Sequence, residues 1–331
     1  MVSLLKEWEA AGIVAPWRGR FGNYDCELRR FFLRTDPLDE CDRYVGIPGM
    51  DAICNHLVAV EGVDLVTSVS AQHAKQDAMG KWALTLDNDQ VHVGFDIAVV
   101  SDMEIVEKRF AIQTSGLPEN RALNLAIPEV GEEVGQILTT SCFVVMFALD
   151  EPLQSMMFSK ASVLNSDVIA TLLRDSSKPG RATDGKECWV IHSTTEYAGR
   201  AILEHGGASG NTLDQNSEEG QAMLTAVANE MLGKLRAVLP EGVVMPKVVY
   251  SSAYLWSSAF KDRDTGHQGM PGQRQARRSR YMSFREPKGV LSDENFKIVC
   301  CGDWLGANSR NGCEDAAISG ILAAKSIAGM L

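Results

Sequence analysis

Cys301-Gly-Asp-Trp304, followed by Asn311-Gly-Cys-Glu-Asp-Ala-Ala-Ile-Ser-Gly-Ile-Leu-Ala-Ala324, decides the fold of this chain. The apolar run Phe296–Cys301 predicts a buried strand that leads into it. A tight turn should follow at the glycine and aspartate, and small residues predict a helix from about Gly312 to Ala328. A strand, a turn and a closely packed helix in this order are typical of α/β proteins.

This closing segment also contains the strongest signal for binding chemistry. Small residues let another backbone or a flat ligand approach a helix closely. The start of a helix offers N–H donors and a positive dipole end, which can hold phosphate oxygens or a developing negative charge. Asp303, at the strand end, can accept hydrogen bonds from sugar-like hydroxyls. Helix-to-strand packing also uses small residues, so a purely structural interpretation stays open.

Size and charge exclude several classes of protein. The chain has 331 residues, with 32 Lys and Arg against 43 Asp and Glu, for a net charge of −11. About two domains are expected, at roughly 150 residues each. The acidic balance argues against nucleic acid as a partner. The longest apolar run, Cys142–Leu149, is too short for a membrane span. A cytoplasmic location is the default, with an organelle open if a leader is missing.

The cysteines and histidines show no metal-binding pattern. The sequence has 8 Cys and 6 His but no C-x-x-C pair and no H-E-x-x-H motif, so we predict no metal site. Mostly buried thiols are expected instead. Cys300 and Cys301 lie in the predicted closing strand, which favours packing over a redox pair.

The rest of the chain alternates strands and helices. Helices are expected at residues 3–11, from Pro48, and over a long segment capped by Ser217. The run Asp96–Val100 predicts a strand buried on both faces of a largely parallel sheet. The full set of further expected strands is Val63–Val69, Lys81–Leu86, Gln90–Val93, Phe95–Ser101, Ser141–Leu149, Val168–Leu173, Cys188–Ser193 and Val243–Trp256.

The closing segment resembles the C-terminal flavin segment of FAD-dependent amine oxidase-type flavoproteins, and the renalase-like oxidoreductases in particular. Other similar stretches are Trp8–Phe21, Tyr44–Met50, Phe95–Ser101, Cys188–Thr194 and the strand that ends at Trp256. The resemblance covers nearly the whole chain, and the closing segment is its specific motif. It implies an α/β (α+β) fold with an FAD/NAD(P)-binding Rossmann-like sheet and an interleaved mixed-sheet substrate domain.

At the turn, the resemblance implies contacts with FAD for three residues. Asp303 would bond the ribityl or pyrophosphate part, and Gly302 would allow that close approach. Trp304 would flank the flavin or a substrate ring; packing in the core is an equally good interpretation.

At the helix start, the resemblance implies contacts for Gly312, Cys313 and Glu314. Backbone N–H groups there would face the pyrimidine edge of the flavin and stabilise negative charge on the reduced ring. Cys313 also suits simple packing. The backbone of Val69 would contact adenine. Asp315 stands where family members often have glycine, which weakens a standard contact at that position.

The front of the family fold has no counterpart in this sequence. Such flavoproteins begin with a strand and a G-x-G-x-x-G turn, and no such motif occurs anywhere in the chain. Gly206–Gly210 has the wrong glycine spacing. We expect a truncated sequence that lacks the first βαβ unit, because a sheet without its central strand would expose edges and apolar surface. Loss of tight FAD binding is the alternative.

The resemblance also implies a discontinuous domain arrangement. Residues 43–110 with 290–331 would form the FAD-binding domain, and residues 1–42 with 111–289 the substrate domain. The substrate domain would contain a basic loop at 261–289, either solvated or able to bind phosphate, NADP or a partner. The basic residues of that loop are Lys261, Arg263, Arg274, Arg277, Arg278, Arg280, Arg285 and Lys288.

No catalytic residue is assigned from the sequence. His192 is expected to be a core histidine rather than a catalyst, and Trp256 a core residue rather than a wall of the substrate site.

The function expected from the resemblance is FAD-dependent oxidation of a small molecule, either an amine or a dihydronicotinamide. The flavin would take a hydride and pass electrons to oxygen or another acceptor. A non-catalytic remnant or interaction protein without tight FAD binding is the alternative. The sequence does not indicate an oligomeric state.

Overall fold

A computed structural model describes residues 2–34, 43–102, 111–113, 121–122, 139–181, 184–205, 214–261, 289–306 and 312–331. The helices are α1 (Val2–Ala10), α2 (Asp51–Val58), α3 (Thr195–His205), α4 (Glu218–Ala237) and α5 (Gly312–Met330). The strands are β1 (Val14–Pro16), β2 (Phe21–Asp25), β3 (Arg30–Leu33), β4 (Tyr44–Gly46), β5 (Ala71–Gln76), β6 (Trp82–Leu86), β7 (Val91–Phe95), β8 (Ala98–Val100), β9 (Ala111–Gln113), β10 (Arg121–Ala122), β11 (Thr139–Leu149), β12 (Lys160–Leu164), β13 (Ile169–Arg174), β14 (Glu187–Ser193), β15 (Val248–Lys261), β16 (Leu291–Asp293) and β17 (Ile298–Cys300).

The chain divides into two compact units, each built from separate segments. The first unit comprises Leu65–Thr139 and Phe260–Leu331, and the second comprises Val2–Asp64 and Thr140–Ala259. Both contain helices and sheets, and the described sheets include parallel and antiparallel pairs, so the fold is α/β with mixed sheets. The FAD-binding and substrate-binding domains, with their boundaries at 43–110 and 290–331, stay predictions.

In the described part of the second unit, seven strands form one sheet in the order β15-β11-β14-β13-β12-β2-β3. β12 and β2 pair in parallel, whereas β11 and β14 are antiparallel. Alternate residues of β11, such as Phe143 and Val145, point into a core shared with α3 and α4. Met223 and Met231 of α4 are buried in it. The Ser217 cap is also confirmed, because its Oγ accepts a hydrogen bond from the Gly220 N–H at 3.0 Å.

The described part of the first unit contains a sheet in the order β10-β9-β5-β6-β7 and another in the order β16-β17-β8. β17 pairs in parallel with β8, and β16 is antiparallel to β17. One face of β17 packs with Trp82 and Trp304. Its other face packs with Ala323 of α5. The closing strand and helix therefore have the order and the close contact that the sequence predicts.

Two sequence predictions of elements are wrong. The run Val63–Val69 forms no strand; Leu65 and Val66 are exposed, and Ser68 has a φ of +60°, which interrupts an extended backbone. β8 is not buried on both faces, because Val99 is 50% exposed. The helix expected from Pro48 is confirmed, although it begins at Asp51, after a turn, and none of its residues is buried.

Several expected features lie outside the described residues. These are the greater part of the basic loop (262–288), one of the eight cysteines (Cys41), Gly206–Gly210 and Asn311.

Within the described residues, no helix has both the length and the apolar character needed to cross a membrane.

Candidate functional site

The turn after β17 is shaped by Gly302. Its φ of +129° is a conformation that side-chain-bearing residues rarely adopt. A Cβ at this position would lie 2.7 Å from the Ser101 carbonyl oxygen and 2.6 Å from Trp304 Nε1. Packing within the protein therefore requires the glycine here, and the space beside it is filled by the chain itself.

The two residues that follow point in different directions. A short 3-10 turn runs from Asp303 to Leu305. Trp304 is 6% exposed, and its Nε1–H donates to the Ser101 carbonyl oxygen at 3.1 Å. The buried indole thus anchors the turn, which supports the packing interpretation of Trp304. The Asp303 side chain is exposed, so its carboxylate is available to a ligand.

The start of α5 lies beside this carboxylate. A Cβ built on Gly312 would be 3.5 Å from Asp303 Oδ2. Cys313 is exposed and Glu314 is half-buried, whereas Asp315 is buried against Gly306. The structure therefore brings together six of the residues that the resemblance selects, namely Gly302, Asp303, Trp304, Gly312, Cys313 and Glu314.

The seventh selected residue, Val69, lies in the irregular segment before β5 and is half-buried. Its contact with adenine stays a prediction.

The turn and the helix start suit one part of an FAD molecule and not another. An exposed carboxylate accepts hydrogen bonds from hydroxyls, and the first N–H groups of a 19-residue helix can donate to carbonyl oxygens. Asp303, Glu314 and Asp315 place three carboxyl groups in this small region. That charge opposes a diphosphate but not the uncharged hydroxyls of a ribityl chain. The described residues therefore fit the ribityl and ring portions of the cofactor.

A second group of candidate residues lies on the large sheet of the second unit, on the side opposite the core. We call this side the non-core face, and define it by His192, Met146, Tyr254 and Trp256. Leu255 and Ile191 point into the core, so their neighbours in β15 and β14 point the other way. Two aromatic side chains of the non-core face are exposed, with Trp256 at 45%. The expectation that Trp256 is a core residue is therefore wrong.

His192 lies beside Trp256 on this face, with ring centres 5.9 Å apart in an edge-to-face arrangement. Burial, helped by the charges of Lys160 and Lys178, lowers the pKa of His192 to about 4. The imidazole is consequently neutral at pH 7, with one donor and one acceptor nitrogen. It is poorly suited to general base catalysis, because the best catalytic pKa lies near the working pH. It can, however, orient a polar group of a ligand.

Sequence reasoning missed Tyr254, which shares the non-core face with Trp256. The signal was present in the alternation of β15, where Tyr254 and Trp256 flank the buried Leu255.

The buried position of Cys300 and Cys301 agrees with their prediction as packing residues. Burial raises the pKa of Cys300 to about 12, so its thiol stays protonated and unreactive.

No model of a known protein family matches this chain. Among solved structures, the chain is similar to a protein described as a protoporphyrinogen oxidase from Exiguobacterium sp. 255-15, with 12% identity, a TM-score of 0.47 and coverage of 86% of this chain and 52% of that one. It is similar to putrescine oxidase bound to putrescine, with 14% identity, a TM-score of 0.47 and coverage of 87% and 54%. An oxidoreductase from Methanosarcina mazei has 16% identity, a TM-score of 0.41 and coverage of 65% and 44%. The chain thus spans about half the length of the structures that it matches.

Proposed function

We propose that this chain functions as an FAD-dependent oxidoreductase of the amine oxidase type, with a renalase-like protein as the specific form. The observation that carries the proposal is the exposed carboxylate of Asp303 beside the start of α5. The Asp303 carboxylate accepts hydrogen bonds and the backbone N–H groups at the start of α5 donate them. Together they match the hydroxyls and carbonyls of a flavin nucleotide.

Different residues of the chain would bind different parts of the cofactor. Asp303 accepts hydrogen bonds from ribityl hydroxyls, and we assign it to these rather than to the pyrophosphate because Glu314 and Asp315 add negative charge nearby. The N–H groups of residues 312–314 donate to the ring and favour negative charge on it. Bound FAD would supply the redox chemistry, namely acceptance of a hydride from the substrate.

For the substrate we propose a small molecule with an apolar or aromatic portion. The exposed aromatic rings of the non-core face offer stacking surface, and the neutral His192 offers a hydrogen bond without a repelling positive charge. Both an alkyl amine and a dihydronicotinamide ring fit this chemistry. Oxygen or another acceptor would then reoxidise the flavin.

A second candidate function is a non-catalytic interaction protein. The absence of a G-x-G-x-x-G motif from the sequence favours it, since that turn normally holds the pyrophosphate of FAD.

The deciding experiment is titration of the 331-residue chain with FAD, followed by the change in flavin fluorescence. Because the chain has no G-x-G-x-x-G turn, we expect weak but saturable binding by the wild type and about a tenfold loss of affinity in Asp303→Ala. Asp87→Ala, which removes another exposed carboxylate of the first unit, is the matched control and should bind like the wild type. A folded, monodisperse wild type that shows no saturable FAD binding would support the interaction protein instead. Equal affinity of the two variants would refute the role of Asp303.

A further inference from the structure

A cavity of about 610 Å³ lies in the second unit, at the end of β13 and the beginning of β14. Its walls include Arg174, Ser176, Lys186, Glu187 and Met157. Glu187 bonds to the core residue Trp189 and is offset from His192 by an odd number of residues along β14, so the two side chains point to opposite faces of the sheet. The cavity is therefore separate from the non-core face.

Glu187 is the one described acid in the cavity wall, and protein donors satisfy it. Its side chain is buried, and Oε2 accepts hydrogen bonds from the Leu153 N–H and from Trp189 Nε1–H, each at 2.8 Å. Two N–H donors stabilise its negative charge without help from a ligand. Its remaining oxygen, Oε1, lies 3.5 Å from Arg174 Nη1.

Arg174 is, by contrast, poorly satisfied. A guanidinium has five N–H donors, yet among the described residues Nη1 has only the long Glu187 contact and a weak bond to Met157 Sδ at 3.9 Å. Its Nε is buried and has no hydrogen-bond partner among the described residues. The ligand contact depends on the outer nitrogens of the guanidinium, which keep N–H donors available for an additional acceptor beyond those two long contacts.

Two other groups of the wall favour an anion. Lys186 is exposed at the cavity and forms no ion pair with any described residue, so the wall contains two cations against one carboxylate. Ser176 Oγ accepts the Cys188 N–H at 2.8 Å, which leaves its hydroxyl hydrogen able to donate. A guanidinium, an ammonium and a hydroxyl around one cavity form a donor set typical of carboxylate and phosphate recognition.

We propose that this cavity binds the oxyanion group of a small molecule, a carboxylate or a phosphate, through Arg174, Lys186 and Ser176. The oxyanion lies between the outer end of the Arg174 guanidinium and the Lys186 ammonium, and Met157 supplies an apolar wall for the rest of the ligand. None of the residues of this site belongs to the turn or the helix start, so its test does not depend on the proposed FAD contacts.

The proposal is tested by calorimetric titration of the purified chain at constant ionic strength. One titration uses inorganic phosphate and a separate one uses succinate. We expect saturable binding of at least one probe. Lys186→Gln should weaken it about tenfold, whereas Lys6→Gln, an exposed lysine of α1 in the same unit, should not change it. Phosphate binding alone would identify a phosphate ligand, and succinate binding alone would identify a carboxylate ligand.

Arg174→Lys keeps the positive charge beside Glu187 but removes the planar fork, so it should also weaken binding. Because that variant alters a half-buried ion pair, its thermal unfolding curve is recorded alongside, and the exposed Lys186→Gln variant decides the question if Arg174→Lys does not fold. Absence of binding by both probes at millimolar concentration would overturn the proposal. Equal affinity in Lys186→Gln, Lys6→Gln and the wild type would overturn it as well.

Discussion

The backbone N–H of Gly302 donates a hydrogen bond to Ser319 Oγ at 2.8 Å, and this bond attaches the turn after β17 to the middle of α5. The Ser319 hydroxyl in turn donates to the Gly289 carbonyl oxygen. Ser319 is fully buried, so water cannot replace either bond. One helix side chain therefore holds the turn that presents Asp303.

Ser319→Ala should lower the free energy of unfolding by about 1–3 kcal/mol, because it leaves the buried N–H of Gly302 without an acceptor. Urea unfolding measures this loss. Ser326→Ala, a half-buried serine on the same helix, is the control and should change the free energy of unfolding by less than about 0.5 kcal/mol. Equal effects of the two substitutions would show that the bridge contributes nothing to stability.

Gly302→Ala should be more harmful, at about 2–4 kcal/mol, since it combines an unfavourable φ with overlap against the Ser101 carbonyl and the Trp304 ring. The matched substitution is Gly320→Ala in α5, where a Cβ would meet nothing within 4 Å. That variant should gain up to about 1 kcal/mol from helix propensity. The two midpoints in urea should therefore move in opposite directions, and a Gly302→Ala variant as stable as the wild type would contradict the turn geometry.

The closing segment could be predicted from the sequence because its signals are local. The apolar run Phe296–Cys301, the glycine at 302 and the small residues after Gly312 each specify their own element, and the structure has a strand and a helix at those places. The inward position of Trp304 could not be predicted in the same way. Its bond to Ser101 joins residues 203 positions apart, and it depends on the parallel pairing of β17 with β8.

The non-core face could be predicted only in part, because it too depends on contacts between residues far apart in the sequence. Alternation along β15 places Trp256 and Tyr254 on one side, but it does not say which side is buried. That choice depends on α3 and α4, which cover the other face of the sheet. The approach of His192 to Trp256 likewise requires the strand order β15-β11-β14, which no local pattern encodes.

Acid should destabilise the second unit through His192. The folded pKa is about 4 and the ordinary value is 6.5, so the unfolded chain binds more protons between these limits. The stabilising contribution of the neutral imidazole is complete above pH 6.5 and is lost as the pH falls towards 4, by about 2–3 kcal/mol.

Urea midpoints of the wild type and His192→Gln, measured across this pH range, test the assignment. The variant should lose less stability on acidification than the wild type. His205→Gln, which replaces an exposed histidine of α3, should follow the wild type. Parallel curves for wild type and His192→Gln would contradict the lowered pKa.

Thiol modification offers an independent test of where FAD binds. Cys313 at the start of α5 and Cys54 in α2 are both exposed, whereas Cys300 is buried and its pKa is raised to about 12. N-ethylmaleimide should therefore label Cys54 and Cys313 much faster than Cys300, as read by peptide mass spectrometry.

If the helix start faces the flavin, saturating FAD should slow labelling of Cys313 about tenfold, because the ligand covers the thiol. Cys54 belongs to the second unit and reports any general effect of FAD on the reagent, so its rate should not change. If FAD binds but Cys313 is labelled as fast as without FAD, the FAD site does not lie at this helix start.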